Sequence, residues 1–542
     1  MEKRTILAIA LSVAVLLGFQ YLFPTVSEIP QPKTVTSPHA TSVAGSEKSS
    51  GNPVTEKAAE KDDDPTTAAT TLAGAVFSEG RILVVQSSLY RAEINTAGGQ
   101  LKAFYLKEYR EDITADSPDL NLVTVNGSNL YPLSGAVNIK GQWYEDRQRL
   151  FETPDDGDRI TVSGSGSTLR LQAPLVNGWT LIKNFNFIPN SYLIEIVYEI
   201  VDESGNRGSI DGVRLFWSHT NAAQEKKEYV YNGVLGYIEG ELYKPSKKEN
   251  KISRQELMGP VSWLGYTSKY FICALLVPQP EAAAQATGVI ERADVRQVNA
   301  GLQVNQTDRI KAYLGPKKGT LLQAQGLNLE DSIEYGWFGV IARPLVELLH
   351  FFNKYVHNYG LAIIILTILI KLAFYPLSQK SYKSMGKMKE VQPKLAKLKE
   401  KFKDDKARLN KEMMDLYRTH KVNPFSGCLP VVVQIPVFFA LYRALMVAIE
   451  LRHAPFLGWI MDLSAKDPYY VTPLIMGATM FLQQKMTPTT GDAMQARMML
   501  FMPVIFTFMF LNFPSGLVLY WLVNNVLSIG QQYMVMRQSA AS

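Results

Sequence analysis

Leu361-Ala-Ile-Ile-Ile-Leu-Thr-Ile-Leu-Ile-Lys-Leu-Ala-Phe-Tyr-Pro-Leu377 is an apolar run with one cation, Lys371, and no carboxylate along it. With the residues leading into it, the run has the length of a membrane span, about twenty residues. A lysine at that depth costs about 2.5–3.5 kcal/mol on insertion scales, so something must hydrate it or pair with it. Two readings compete. Lys371 lies about 10 Å from the inner end of the run at ~1.5 Å per residue, within reach of the inner headgroups by snorkelling. Alternatively, a hydrated groove holds it for a passing substrate.

Downstream of this span (359–378) the chain is strongly basic, from Lys380 to Lys421. By the positive-inside rule residues 379–427 are cytoplasmic. Met388, Val391, Leu395, Leu398 and Phe402 step by three and four, and Leu409, Met413 and Leu416 do so again after Asp404-Asp405. That spacing predicts two short helices in an antiparallel hairpin. The charge marks a surface for anionic lipid, a ribosome or a nascent chain, without indicating a nucleic-acid sequence as partner. Four further spans are expected at 428–449, 469–483, 498–511 and 517–533. They are separated by a periplasmic loop (450–468), a cytoplasmic loop (484–497) and the turn Asn512-Phe513-Pro514-Ser515-Gly516, with a cytoplasmic tail at 534–542. Pro430, Gln434 and Pro436 stand in the inner half of the 428–449 span, which should therefore face protein or water rather than lipid. The spans 469–483 and 498–511 are short for a bilayer, and local thinning would accommodate them.

Toward the N-terminus, Lys3 and Arg4 precede the apolar run Ile6 to Phe23. Gly18-Phe19-Gln20-Tyr21-Leu22-Phe23-Pro24 is bulky where signal cleavage needs small residues, which favours a retained anchor (1–24) over a cleaved signal. The basic flank puts the N-terminus in the cytoplasm and exports the segment after the anchor. Residues 25–74, rich in Pro, Ser, Thr, Ala, Lys and Asp, read as a disordered tether. From 75 to 334 the pattern alternates with period two, as in Tyr192-Leu-Ile-Glu-Ile-Val-Tyr-Glu-Ile200, between turns such as Gly98-Gly99 and Ser204-Gly205-Asn206. This alternation predicts one large antiparallel β-sandwich. Its sole histidine is His219, so neither a metal cluster nor a histidine pair is available there. Tyr335 to Asn358 places Trp337, Phe338, Ile341, Leu345, Leu348, Leu349 and Phe352 at helical spacing, an amphipathic helix (335–358) suited to the outer interface.

Composition narrows the classes. At 542 residues the chain exceeds one domain, and its formal charge of +6 is mild. Cys273 and Cys428 form no CxxC pair and read as small apolar residues rather than as a disulfide framework or zinc site. No Asp or Glu occurs within the apolar stretches from Leu361 onward, against a proton-relay ion pair. Thr367, Gln434, Asn524, Asn525 and Ser528 are the polar residues that could share space with Lys371. A small-molecule transporter would show paired repeats, and no second copy of the Lys371 helix is present. A membrane-anchored periplasmic carbohydrate-binding protein or enzyme would not need five further spans.

The strings Lys371-Leu-Ala-Phe-Tyr-Pro-Leu377, Val422-Asn-Pro-Phe-Ser-Gly-Cys-Leu-Pro430, Asp467-Pro-Tyr-Tyr470, Gln484-Lys-Met-Thr-Pro488 and Phe513-Pro-Ser-Gly-Leu-Val-Leu-Tyr520 resemble the YidC/Oxa/Albino family of membrane-protein insertases in its Gram-negative form. The resemblance implies a multi-pass α-helical inner-membrane protein of six spans with a five-helix core. It also implies a periplasmic β-supersandwich, a cytoplasmic helical hairpin, both termini in the cytoplasm, no cofactor and no enzymatic chemistry. Its implied partners are nascent integral membrane proteins, the Sec translocon with its accessory subunits, the ribosome and lipids. Lys371 stands where the family commonly carries arginine, which keeps the charge and loses the bidentate fork. Thr367, Tyr520 and Trp521 correspond to groove-side residues, and the span bearing Pro430, Pro436 and Phe439 to the helix along which a substrate slides.

Overall fold

Residue-by-residue alternation of burial runs through strands such as Tyr90–Asn95 and Ser167–Pro174, as a sheet with one covered face requires. The computed structural model describes residues 80–542 apart from 126–129, 155–156, 221–229, 247, 293–296, 404, 421, 423–428, 488–492 and 542. The expected anchor (1–24), the tether (25–74), the turn at 423–428 with Cys428, and part of the 484–497 loop lie outside the described residues.

Among the described residues three sheets make up the β domain. The eight-stranded sheet runs Glu241–Tyr243, Gly233–Ile238, Val261–Thr267, Phe271–Leu276, Arg309–Pro316, Leu193–Val201, Thr180–Phe187, Ser167–Pro174. The six-stranded sheet runs Arg254–Leu257, Ala286–Arg292, Gln297–Asn305, Gly212–Thr220, Gly135–Ile139, Gln142–Glu145. Val261–Thr267 and Phe271–Leu276 of the first lie against Gln297–Asn305 and Gly212–Thr220 of the second, the face-to-face packing of a sandwich. Trp217 and Trp263 are among the largest fully buried side chains. A third sheet of five strands is antiparallel except at one edge, where Ile82–Gln86 pairs in parallel with Arg159–Thr161. A purely antiparallel reading fails there because the second strand arrives by a long connection rather than a hairpin.

One ion pair ties these sheets together. Lys183 Nζ donates to Asp146 Oδ2 at 2.6 Å, to the Leu133 carbonyl at 2.6 Å and to the Gly99 carbonyl at 2.8 Å. Asp146 also accepts from the Tyr198 hydroxyl and the Gly135 N–H, each at 2.8 Å. Both charged side chains are completely buried. Burial pushes the Asp146 carboxyl up and the Lys183 ammonium down, and their mutual contact opposes both shifts. All three lysine donors are used, the condition under which such a pair is tolerated in a core.

The β domain leads through the short α1 (Gly319–Gln323) to the helices: α2 (Gly339–Val356), α3 (Tyr359–Ala373), α4 (Tyr375–Lys401), α5 (Lys406–Thr419), α6 (Leu429–Val447), α7 (Val471–Met486), α8 (Ala493–Phe510) and α9 (Ser515–Ala541). Asn358 caps α3, its side chain accepting from the Leu361 N–H at 3.0 Å. The opening apolar run is not one helix. It breaks at Phe374 and resumes as α4 at a bend of 65°. Pro376 has no N–H for the carbonyl of Leu372, and its ring crowds that carbonyl, so the axis turns there. Among the described residues no single helix is long and apolar enough to cross a membrane, whereas α3 and α4 together are.

The two helices of the basic segment are unequal. α4 spans 27 residues and α5 spans 14, with Met388, Val391, Leu395, Tyr417 and Val422 forming one buried cluster. Asp405 caps α5 by accepting from the Arg408 N–H at 3.0 Å.

Candidate functional site

The polar residues that matter lie on α9. Tyr520, Asn524 and Ser528 fall four apart, so they stack along one face, and all three are buried. Lys371 reaches this face from α3: its Nζ donates to Ser528 Oγ at 2.7 Å, and Ser528 Oγ in turn donates to the Asn524 carbonyl at 2.7 Å. Gln434 reaches it from α6, its Nε2 donating to Asn524 Oδ1 at 2.5 Å and approaching the Tyr520 hydroxyl at 3.3 Å. The N-terminal half of α6, where Pro430 and Pro436 sit, is half-buried, and Val432 and Ile435 on it are exposed.

Lys371, Gln434, Tyr520, Asn524 and Ser528 therefore form one hydrogen-bonded seam between α3, α6 and α9. Other residues named from sequence lie elsewhere. Asn525 turns to α7, donating to Thr479 Oγ1 at 3.4 Å. Thr367 is buried and spends its hydroxyl on the Ile363 carbonyl of its own helix at 2.6 Å, so it does not join the seam. Trp521 sits among aromatic rings, edge-on to Phe438 at 4.7 Å and beside Phe510 at 5.3 Å, with its indole N–H unpartnered. Phe439 stacks on Phe338, ahead of α2, at 5.7 Å.

The polar face continues past the residues expected from sequence. Gln531 donates to the Tyr375 carbonyl at the α3–α4 break at 3.4 Å. The neighbouring Gln532 is almost completely buried with neither end of its amide partnered. Ser378 and Ser381 on α4 are buried too. The sequence signal is Gln531-Gln532 itself, one helical turn beyond Ser528, where two amides pass for the start of a polar tail.

His219 is engaged in the β domain, 2.8 Å from Thr124 Oγ1 and stacked on Tyr266 at 3.6 Å. Among the described residues no three His, Cys, Asp or Glu side chains gather in a way that could hold a metal ion.

A sheet-rich domain is followed by apolar helices that place a cation on an internal polar seam. Comparison with known proteins makes this specific. The periplasmic domain of YidC matches residues 82–348, and the 60Kd inner membrane protein family matches residues 351–542. A protein of Syntrophus aciditrophicus named membrane protein insertase YidC is 42% identical over 559 residues, covering 99% of this chain and 100% of its own. One of the same name from Citrifermentans bemidjiense is 42% identical over 545 residues, covering 99% of each. A solved structure of an active YidC insertase covers 84% of this chain and 95% of its own at 19% identity and a TM-score of 0.37, a resemblance too slight to argue from. The chain belongs to the YidC family of membrane protein insertases, a non-catalytic family with a periplasmic domain and an inner-membrane module.

Proposed function

We propose that this chain inserts nascent membrane proteins into the inner membrane through the polar seam between α3, α6 and α9. The observation that carries the reading is the contact of Lys371 with the neutral hydroxyl of Ser528, in helices whose apolar stretches hold no carboxylate. A cation that donates to a neutral hydroxyl keeps its charge available to an arriving anion. A hydrophobic segment with an acidic or polar tail enters from the cytoplasm, and Lys371, Gln434 and Asn524 hold the tail transiently. The apolar segment slides along α6 past Pro430, Pro436 and Phe439 into lipid, where burial of its surface drives the step. A potential negative inside favours outward passage of an acidic tail by about 2.3 kcal/mol per charge per 100 mV.

The same reading assigns six spans, the anchor at 1–24 and five from α3 onward, with both termini, the hairpin of α4 and α5 and the 484–497 loop in the cytoplasm. At ~1.5 Å per residue, α7 and α8 reach about 24 and 27 Å, less than a ~30 Å hydrocarbon core, which supports local thinning. The basic hairpin contacts the ribosome or nascent chain, and insertion proceeds alone or with the Sec translocon.

Photo-crosslinking tests this. A benzophenone residue at Gln434 or Phe439 is expected to capture a ribosome-bound hydrophobic nascent chain, whereas one at Ile368, on an exposed side of α3, captures lipid alone. Equal capture at all three sites would remove the seam as the route.

A further inference from the structure

The motif Asp467-Pro-Tyr-Tyr470 does not take part in the seam. Its carboxylate is almost completely buried in the loop between α6 and α7 and collects four donors. Oδ2 accepts from the Thr472 N–H at 2.8 Å and its hydroxyl at 2.6 Å. Oδ1 accepts from the Tyr469 N–H and the Trp459 indole N–H, each at 3.0 Å. The loop is fixed on two further sides. Ser515 N–H donates to the Ala465 carbonyl at 2.7 Å, Gly516 N–H to the Leu463 carbonyl at 2.9 Å, and the Asn358 side chain to the Phe456 carbonyl at 3.1 Å. A loop held this firmly nevertheless presents large apolar side chains outward: Leu457 is 62% exposed, Met461 58% and Tyr469 68%, with the Trp459 ring 40% exposed. Ordinary surface loops do not hold such a set in place.

We propose that this loop is an interfacial anchor seated in the outer leaflet of the bilayer, with Asp467 positioning Trp459 and Tyr469 at the headgroup boundary. Two observations select lipid as the occupant. Tyr469 stands two residues before α7, where Leu474 and Ile475 are 59% and 47% exposed, so the exposed apolar residues of the loop lead along the chain into those of the helix. The Trp459 indole N–H turns inward to Asp467, and the exposed Lys466 stands one residue before that carboxylate, the composition of a headgroup-level belt. The anchor fixes the outer end of α7 against the membrane while the inner ends of the helices rearrange around a substrate. It rests on the reading that these helices cross the bilayer.

The test uses the full chain, with Cys273→Ala and Cys428→Ala, reconstituted in vesicles of phosphatidylethanolamine and phosphatidylglycerol. Single cysteines replace Leu457, Met461, Ile368 or Ser204 and carry an environment-sensitive fluorophore. Lipids with a shallow doxyl group are expected to quench the Leu457 and Met461 reporters with a blue shift in emission, and aqueous iodide to spare them. The Ser204 reporter, in an exposed β turn, should respond to iodide alone. Lipid quenching at Ile368 with iodide quenching at Leu457 and Met461 would overturn the anchor and leave the membrane reading standing. Absence of lipid quenching at Ile368 would overturn both. Protection from iodide without lipid quenching would place protein, not lipid, over the loop and overturn the proposal. Asp467→Ala, and the milder Trp459→Phe that removes only the indole bond, are expected to return both loop reporters toward iodide accessibility with Ile368 unchanged. No change in either variant would remove Asp467 from the anchor.

Discussion

At the level of single residues, buried charge is satisfied in three different ways. Lys371, partly buried, donates to the neutral hydroxyl of Ser528. Lys183 is saturated by a carboxylate and two carbonyls and serves the β domain alone. Lys183→Met leaves Asp146 buried without its partner and is expected to cost about 3–5 kcal/mol, read from the thermal unfolding of the β domain. Asp467 is the third case. Burial alone would push its carboxyl up, but Thr472, the Tyr469 N–H and the Trp459 indole hold it below its usual value. A depressed carboxylate stabilises the fold above its unfolded value of about 3.9, and that contribution is lost as pH falls through the lower folded value. Wild type should therefore exceed Asp467→Asn in heat stability at neutral pH, and the difference should shrink as the solution is acidified below pH ~4. A constant difference from pH 7 to the acid limit would show that the charge on Asp467 is not what holds the loop. Sequence exposed Lys371 because a lone cation in an apolar run is conspicuous. It did not expose what Asp467 does, because a carboxylate before a proline in a loop looks the same whether it caps, clamps or faces water.

Among the elements, periodicity foresaw helices and strands, and chain breaks and partner choices escaped it. Period-two alternation identified the β domain, but strand order and the parallel pairing of Ile82–Gln86 with Arg159–Thr161 depend on long-range register, which no local pattern carries. The bend at Phe374 was hidden because Pro376 near the end of an apolar run reads as a stop, while the basic residues after it continue as α4. On α9, Asn524 and Ser528 stood out as polar residues in an apolar run, while Tyr520 was named through the family resemblance; their spacing by four places all three on one face. Thr367 makes no hydrogen bond to the seam because a threonine in a helix readily bonds its own preceding turn, as it does to Ile363. Packing between α7 and α8 depends on Gly477, where an added methyl would meet the Thr507 side chain. Gly477→Ala is expected to destabilise by about 1–3 kcal/mol, measured by unfolding in detergent. In the basic segment, Leu395→Ala opens the buried cluster shared by α4 and α5, at an expected cost of about 2–5 kcal/mol. Faster protease cleavage between the two helices would report it, and unchanged cleavage would mean that this cluster does not hold the pair together.

Across the whole molecule, the β domain and the helices meet through specific contacts: Arg343 pairs with Asp331 at 2.7 Å, and Arg452 of the α6–α7 loop donates to the carbonyls of Arg110 and Glu111 at 2.5 and 3.2 Å. These contacts orient the domain without reaching Lys371. Removing residues 82–318 is accordingly expected to leave insertion of a simple substrate largely intact, and complete loss would assign the β domain a direct part in it. The central claim is that the Lys371 charge assists passage of an acidic tail. Protease accessibility of a short acidic-tailed membrane protein tests it most directly, in cells depleted of their own insertase and supplied with wild type, Lys371→Arg or Lys371→Ala. An exported, protease-sensitive tail is expected with wild type and Lys371→Arg, and a tail retained inside with Lys371→Ala. Equal export by Lys371→Ala would contradict the claim and leave Lys371 as a lysine snorkelling to the inner headgroups.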